Sequence, residues 1–290
     1  MKSRKKGESS DLPATAVSVF GRGASSAQGS AHLDLELGRE IFLSPSVPMF
    51  SNPSRAWESL GSVAIPANSR SGNCLFLETT NAPAVVAFDI LRTRLLHGLA
   101  EHNWRRVAIS SPTHGCGKSF VASNLALSLA RRPASRTVLM DLDLRRPQLA
   151  SILGQTEEYA LTDYLSGNQP LESVFRRYGK TLALGLNTHQ VENASAVLHD
   201  PETVAALAAV AEQLAPEVVL YDLPPALVND DLIALAPCID AVLLVTDGTK
   251  TSPEEIRAFE KLLEGHFPLL GVVLNRAQDA KSGRYRYGKN

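Results

Sequence analysis

Six short apolar runs, Arg106–Ser111, Thr137–Leu142, Thr181–Leu186, Glu217–Asp222, Ala241–Thr246 and Leu269–Asn275, are separated by segments with helical periodicity. That alternation restricts the chain more than any other feature. The clearest helical patterns are Ser119–Arg131, Glu202–Leu214 and Pro253–Glu264, and Val85, Val86, Phe88, Leu91, Leu95, Leu96 and Leu99 recur at helical spacing ahead of the first run. Strands that are apolar on both sides must be covered on both sides, and crossover helices provide that cover in a parallel sheet. The sequence therefore predicts an α/β fold, a doubly wound and mainly parallel sheet flanked by helices. Such sheets bind ligands beyond the carboxyl ends of their strands, so functional residues are expected directly after the apolar runs.

The first run opens into Val107-Ala-Ile-Ser-Ser-Pro-Thr-His-Gly-Cys-Gly-Lys-Ser119, a strand followed by a glycine-containing loop and the start of a helix. This is the context of a P-loop. Gly115 and Gly117 permit backbone conformations that turn amide N–H groups inward, and the helix behind them adds a positive dipole end. Thr113, His114, Gly115, Cys116, Gly117, Lys118, Ser119 and Phe120 are the predicted nucleotide contacts. Lys118 supplies charge for the β- and γ-phosphates and Ser119 a hydroxyl for Mg²⁺. Pro112 stands where the strict pattern has glycine.

Two further runs end in carboxylates. Val138-Leu-Met-Asp-Leu-Asp-Leu-Arg-Arg-Pro147 places Asp141 and Asp143 on the same side of a strand end. The pair can hold Mg²⁺ through water and accept a proton from an attacking hydroxyl; a helix cap ahead of Pro147 would explain one aspartate alone. Val218-Val-Leu-Tyr-Asp222 ends like a Walker-B strand, whose aspartate steers Mg²⁺. Asp230 and Asp231 are read as caps of the following helix and stay outside the predicted site.

Residues 1–83, rich in Ser, Pro, Gly, Ala and Asn, show no sustained period and read as a mostly disordered segment. Within it, the apolar island Ala56-Trp-Glu-Ser-Leu60 is either linker or a docking point for a partner. The folded domain spans 84–279 and a flexible tail 280–290. A net charge of −1 provides no basic field, so no nucleic-acid partner is expected. Three scattered cysteines, Cys74, Cys116 and Cys238, and no apolar stretch of spanning length predict a cytoplasmic chain without a membrane segment.

The phosphate loop, the Asp-Leu-Asp-Leu-Arg-Arg-Pro block and the Asp-x-Pro-Pro block together resemble the bacterial tyrosine kinases of capsule and exopolysaccharide synthesis, over roughly Phe88 to Asp279. Leu91-Arg-Thr93, Thr162-Asp-Tyr-Leu165 and Gly271-Val-Val-Leu-Asn275 support the likeness. It implies a P-loop fold of the deviant Walker A group and transfer of phosphate from Mg²⁺-ATP to tyrosine. Lys118, Asp141 and Asp143 would be catalytic, Ser119, Asp143 and Asp222 would hold Mg²⁺, and Asn275 would contact adenine. Tyr285 and Tyr287 in the tail would be phosphoacceptors. A membrane-bound polysaccharide chain-length regulator or co-polymerase would be the activator, bringing the protein to the inner face of the plasma membrane, and self-association is implied as well. The family's Glu-x-x-Arg-x-x-Arg assembly helix is matched by Val86, Asp89 and Arg92, of which only Arg92 is retained. Two alternatives stand beside this resemblance. One is a cell-division or partition ATPase, which carries a lysine where this chain has Thr113; the other is a non-catalytic ATP-binding regulator.

Overall fold

The structure, a computed structural model, describes residues 52–66, 83–133 and 135–277. The predicted strands are all present, as β2 (Arg106–Ser110), β3 (Thr137–Asp141), β5 (Leu182–Gly185), β6 (Val218–Asp222), β7 (Ala241–Asp247) and β8 (Leu269–Asn275). The predicted helices appear as α2 (Pro83–His102), α3 (Lys118–Ala130), α8 (Pro201–Leu214) and α10 (Pro253–Leu263). Local signals set these limits. Ser252 and Glu255 form a capping box ahead of Pro253, and Asp200 caps α8 ahead of Pro201.

Eight strands form one sheet in the order β1-β4-β5-β3-β6-β2-β7-β8. The six strands from β5 to β8 run parallel, whereas β4 (Arg176–Tyr178) is antiparallel to β5. One apolar core lies on each side: Met140, Tyr221 and Leu244 belong to one, and Ile109, Leu125, Leu139 and Leu220 to the other. Strands β3, β6 and β7 are buried along their whole length, which accounts for their continuous apolar sequence.

The expectation for residues 1–83 needs correction at 52–66. The Ala56–Leu60 island is not a linker: α1 (Pro53–Ser59) packs on this domain and leads into β1 (Gly61–Ser62), which pairs with β4. Trp57 is 2% exposed, its indole N–H donates to the Lys180 carbonyl at 3.0 Å, and the Arg136 guanidinium stacks 5.2 Å from its ring centre. A buried indole with a satisfied N–H is ample reason for a short segment to order. The apolar island Ile41-Phe-Leu43 and the remainder of 1–83 lie outside the described residues, apart from the helix start at Pro83.

Helix α2 buries Val85, Phe88, Leu95 and Leu99, as the spacing predicts, and departs from the pattern at Val86. Phe88 packs edge-on against Phe120 with ring centres 5.9 Å apart, but Val86 and Ile90 face solvent. Asp89 is held within the chain by Arg92, Arg131 and Ser128.

Candidate nucleotide site

Five neighbouring strands deliver their carboxyl ends to one edge of the sheet. Asp141 of β3 is paired in register with Asp222 of β6, Ile109 of β2 with Asp222, and Asp247 of β7 with Asn275 of β8. The glycine loop follows β2 directly. Gly115 and Gly117 have φ of 81° and 88°, in the left-handed region, and Gly117 is the N-cap of α3. A Cβ on Gly117 would collide with Asn275 Nδ2, so a side chain there would need both a strained backbone and a shift of Asn275.

Lys118 opens α3 and is 8% exposed. Its Nζ lies 2.6 Å from Asp143 Oδ2, 3.4 Å from Asp222 Oδ1 and 3.2 Å from the Ser119 hydroxyl. Burial alone would lower the lysine pKa, but Asp222 and Asp143 outweigh it and hold the ammonium above its ordinary value.

Asp141 and Asp222 are each fully buried. Burial raises both carboxyls, and in Asp141, pushed well above the ordinary value, the neighbouring Asp222 charge adds to it. One oxygen of Asp141 accepts from the amides of Gln148 and Leu149 at 3.1 and 3.0 Å, at the start of α4 (Leu149–Ile152). Asp141 thus holds the start of α4, whose N-cap residue is Gln148, whereas ahead of Pro147 it is Asp143 that accepts from a backbone amide, that of Arg146 at 3.1 Å. The other Asp141 oxygen, Oδ1, has no hydrogen-bond partner among the described residues, and neither has Asp222 Oδ2. Partnerless buried carboxylate oxygens beside a lysine and a serine hydroxyl fit a hard cation and its waters. No three carboxylate, imidazole or thiolate groups gather into a metal site among the described residues.

The other predicted positions fall around this centre. His114 is exposed at the loop tip, Cys116 is buried with its thiol donating to the Thr113 carbonyl, and Phe120 faces α2. Asn275 lies against the loop, its Nδ2 donating to the Cys116 carbonyl at 2.9 Å. Tyr285 and Tyr287 lie outside the described residues.

Two groups went unrecognised in the sequence. Asp231, set aside as a helix cap, is fully buried at the start of α9 (Asp231–Ala234) and accepts from Arg145 Nε at 3.1 Å and Nη2 at 3.3 Å. That ion pair ties the turn after Asp143 to the loop after Asp222, and Asp230 at the cap position makes no side-chain capping bond. Asp247 is also fully buried, with its carboxyl drawn down to about 2 by the Thr249 hydroxyl and amide and further by Arg276. Its position at the end of an apolar run is the same signal that marked Asp222.

A lysine and a serine opening the helix behind a glycine loop, facing carboxylates from two adjacent strands, is how P-loop NTPases are built, and this chain belongs to their ParA family. The family model, described as NUBPL iron-transfer P-loop NTPase, matches residues 104–282. Within that class it matches proteins named as bacterial tyrosine-protein kinases. The chain is 34% identical to EpsB of Ralstonia solanacearum over 211 residues, covering 71% of this chain and 27% of that protein. It is 28% identical to tyrosine-protein kinase Etk of Escherichia coli K12 over 222 residues, covering 75% of this chain and 30% of Etk. The kinase domain of VpsO superposes with a TM-score of 0.59 at 28% identity, covering 67% of this chain and 96% of that domain. The kinase domain of E. coli ETK gives 0.61 at 26% identity, covering 73% and 87%. The chain thus spans less than a third of the length of EpsB and Etk. No described helix is long and apolar enough to cross a membrane.

Proposed function

We propose that this chain is an ATP-dependent protein-tyrosine kinase module serving exopolysaccharide or capsule synthesis. The observation that carries the reading is the buried Lys118–Asp143–Asp222 cluster beside the glycine loop, with Asp141 presenting a bare oxygen. Lys118, released from Asp143 when phosphate enters, stabilises charge on the transferred group. The tyrosine oxygen attacks the γ-phosphorus, the bond to the β–γ bridging oxygen breaks, and ADP leaves. Asp141 takes the phenolic proton, a task suited to a carboxyl whose proton affinity is raised. Ser119, Asp143 and Asp222 would hold Mg²⁺, which when bound neutralises phosphate charge.

Tyr285 and Tyr287 are the acceptors in this reading, Asn275 contacts adenine, and a membrane-bound co-polymerase is the activator that brings the cytoplasmic chain to the membrane. The test is to incubate the full chain with Mg²⁺-ATP, with and without that partner, and to map phosphotyrosine by mass spectrometry beside Lys118→Met. Phosphotyrosine that vanishes in the variant is the expected result. ATP hydrolysis with no phosphotyrosine under either condition would replace the kinase reading with a switch ATPase.

A further inference from the structure

Two consecutive carbonyls of the glycine loop are held from outside by two consecutive residues at the end of β8. Asn275 Nδ2 donates to the Cys116 carbonyl at 2.9 Å, and Arg276 Nη1 donates to the Gly115 carbonyl at 2.8 Å. The same Arg276 nitrogen donates to Asp247 Oδ2. Asp247 is fixed in turn by the Thr249 amide at 2.8 Å and hydroxyl at 2.6 Å, and its own amide donates to Thr251 Oγ1 at 2.8 Å. Arg276 adopts this pose at φ 51°, a conformation that a long side chain takes only when its surroundings hold it there.

In a planar trans peptide the carbonyl of one residue and the N–H of the next point in opposite directions. Anchoring the Gly115 and Cys116 carbonyls outward therefore aims the N–H groups of Cys116 and Gly117 at the loop interior. Among the described residues no backbone carbonyl accepts from either amide. Convergent N–H dipoles repel one another until an anion arrives, so a loop of this kind needs external support to stay in shape.

We infer that Arg276 and Asn275, with Asp247 bracing Arg276, are positioning residues that pre-form the phosphate cradle from the end of the edge strand. The inference rests on the nucleotide site proposed above and adds to it a specific mechanical link between β8 and the P-loop. It also assigns Asn275 a task independent of the base.

The test uses the full chain with Mg²⁺ and two ligands, ATP and inorganic tripolyphosphate, which has no base, titrated calorimetrically into wild type, Arg276→Ala, Arg276→Lys, Asn275→Ala and Asp247→Asn. Arg276→Ala and Asn275→Ala are expected to weaken both ligands by the same factor, about tenfold or more, as loss of a supporting contact does at other pre-organised sites. Arg276→Lys, able to reach one acceptor in place of two, should fall between. Asp247→Asn, which leaves Arg276 in place, should show a smaller loss in the same direction, and it keeps the test alive if Arg276→Ala does not fold. Unchanged affinity in Arg276→Ala and Asp247→Asn would overturn the inference alone, as would loss of ATP binding with tripolyphosphate binding intact. A wild-type chain that binds neither ligand would remove the nucleotide site and this inference together.

Discussion

Lys118 Nζ sits 2.6 Å from Asp143 Oδ2, so the lysine that should meet phosphate is held by a carboxylate that should meet Mg²⁺. Both side chains are at least nine-tenths buried. One ammonium faces two carboxylates, so the cluster keeps an excess of negative charge that a cation would offset and phosphate alone would increase. On the proposed reading, nucleotide binding is expected to be tighter with Mg²⁺ than without it.

Lys118→Met accordingly has two expected effects. Phosphoryl transfer is lost, and in Mg²⁺-free buffer the protein is destabilised by about 3 kcal/mol, because buried carboxylates lose their counter-charge. A lysine exposed toward solvent would cost almost nothing. Millimolar Mg²⁺ should restore much of the loss by replacing the missing charge. Urea unfolding with and without Mg²⁺ measures this, and equal stability of variant and wild type without Mg²⁺ would show that the ion pair carries no weight.

The sheet was legible because each central strand is buried on both faces and so carries an unbroken apolar run; β3, β6 and β7 illustrate this. The outer strands were not, since β4 is Arg-Arg-Tyr and β1 only Gly-Ser. In the site, Lys118, Ser119 and Asp222 announce themselves by standing directly after strands or glycines. Asp231 and Arg276 do not, because their importance comes from partners 86 and 161 residues away in sequence. Asp141 shows both sides: its location was readable, but its double role as anchor of the α4 start and bare oxygen depends on where Gln148 and Leu149 fold back.

Asp141→Asn should flatten the pH dependence of stability. The Asp141 carboxyl is raised well above its ordinary value of 3.8, mainly by burial. Stability due to the protonated group is complete below that ordinary value and is lost as pH rises through the elevated folded value. Wild type without Mg²⁺ should therefore lose stability with rising pH, and Asp141→Asn should lose less, with Asp222 still contributing part of the slope. The asparagine oxygen can still accept from Gln148 and Leu149, so the hold on α4 survives. Melting temperatures from pH 4 to 9 give the slopes; identical slopes would mean that Asp141 does not ionise against burial.

Trp57→Ala should cost about 3–5 kcal/mol, the usual range for emptying a buried aromatic site. The indole is enclosed, hydrogen-bonded to Lys180 and stacked by Arg136, and it joins Ala56 and Leu60 in the core that contains Phe175 and Tyr221. A chain starting at Ala84 should show a comparable drop in melting temperature relative to the full chain. Equal melting of full and shortened chains would return residues 52–66 to the status of a dispensable linker.

Gly117→Ala tests the loop at its tightest point. The new Cβ would collide with Asn275 Nδ2, and alanine at φ 88° is strained wherever space is made. Asn275 can move aside, but only by giving up its bond to the Cys116 carbonyl. The variant should thus fold with a loss of about 1–2 kcal/mol from strain while nucleotide affinity falls by at least about tenfold. Combining it with Asn275→Ala relieves the collision and leaves the strain. The double variant should regain part of the stability and little of the affinity. Thermal unfolding read beside nucleotide titration separates the two terms, and full recovery of affinity in the double variant would mean that steric collision alone governs the loop.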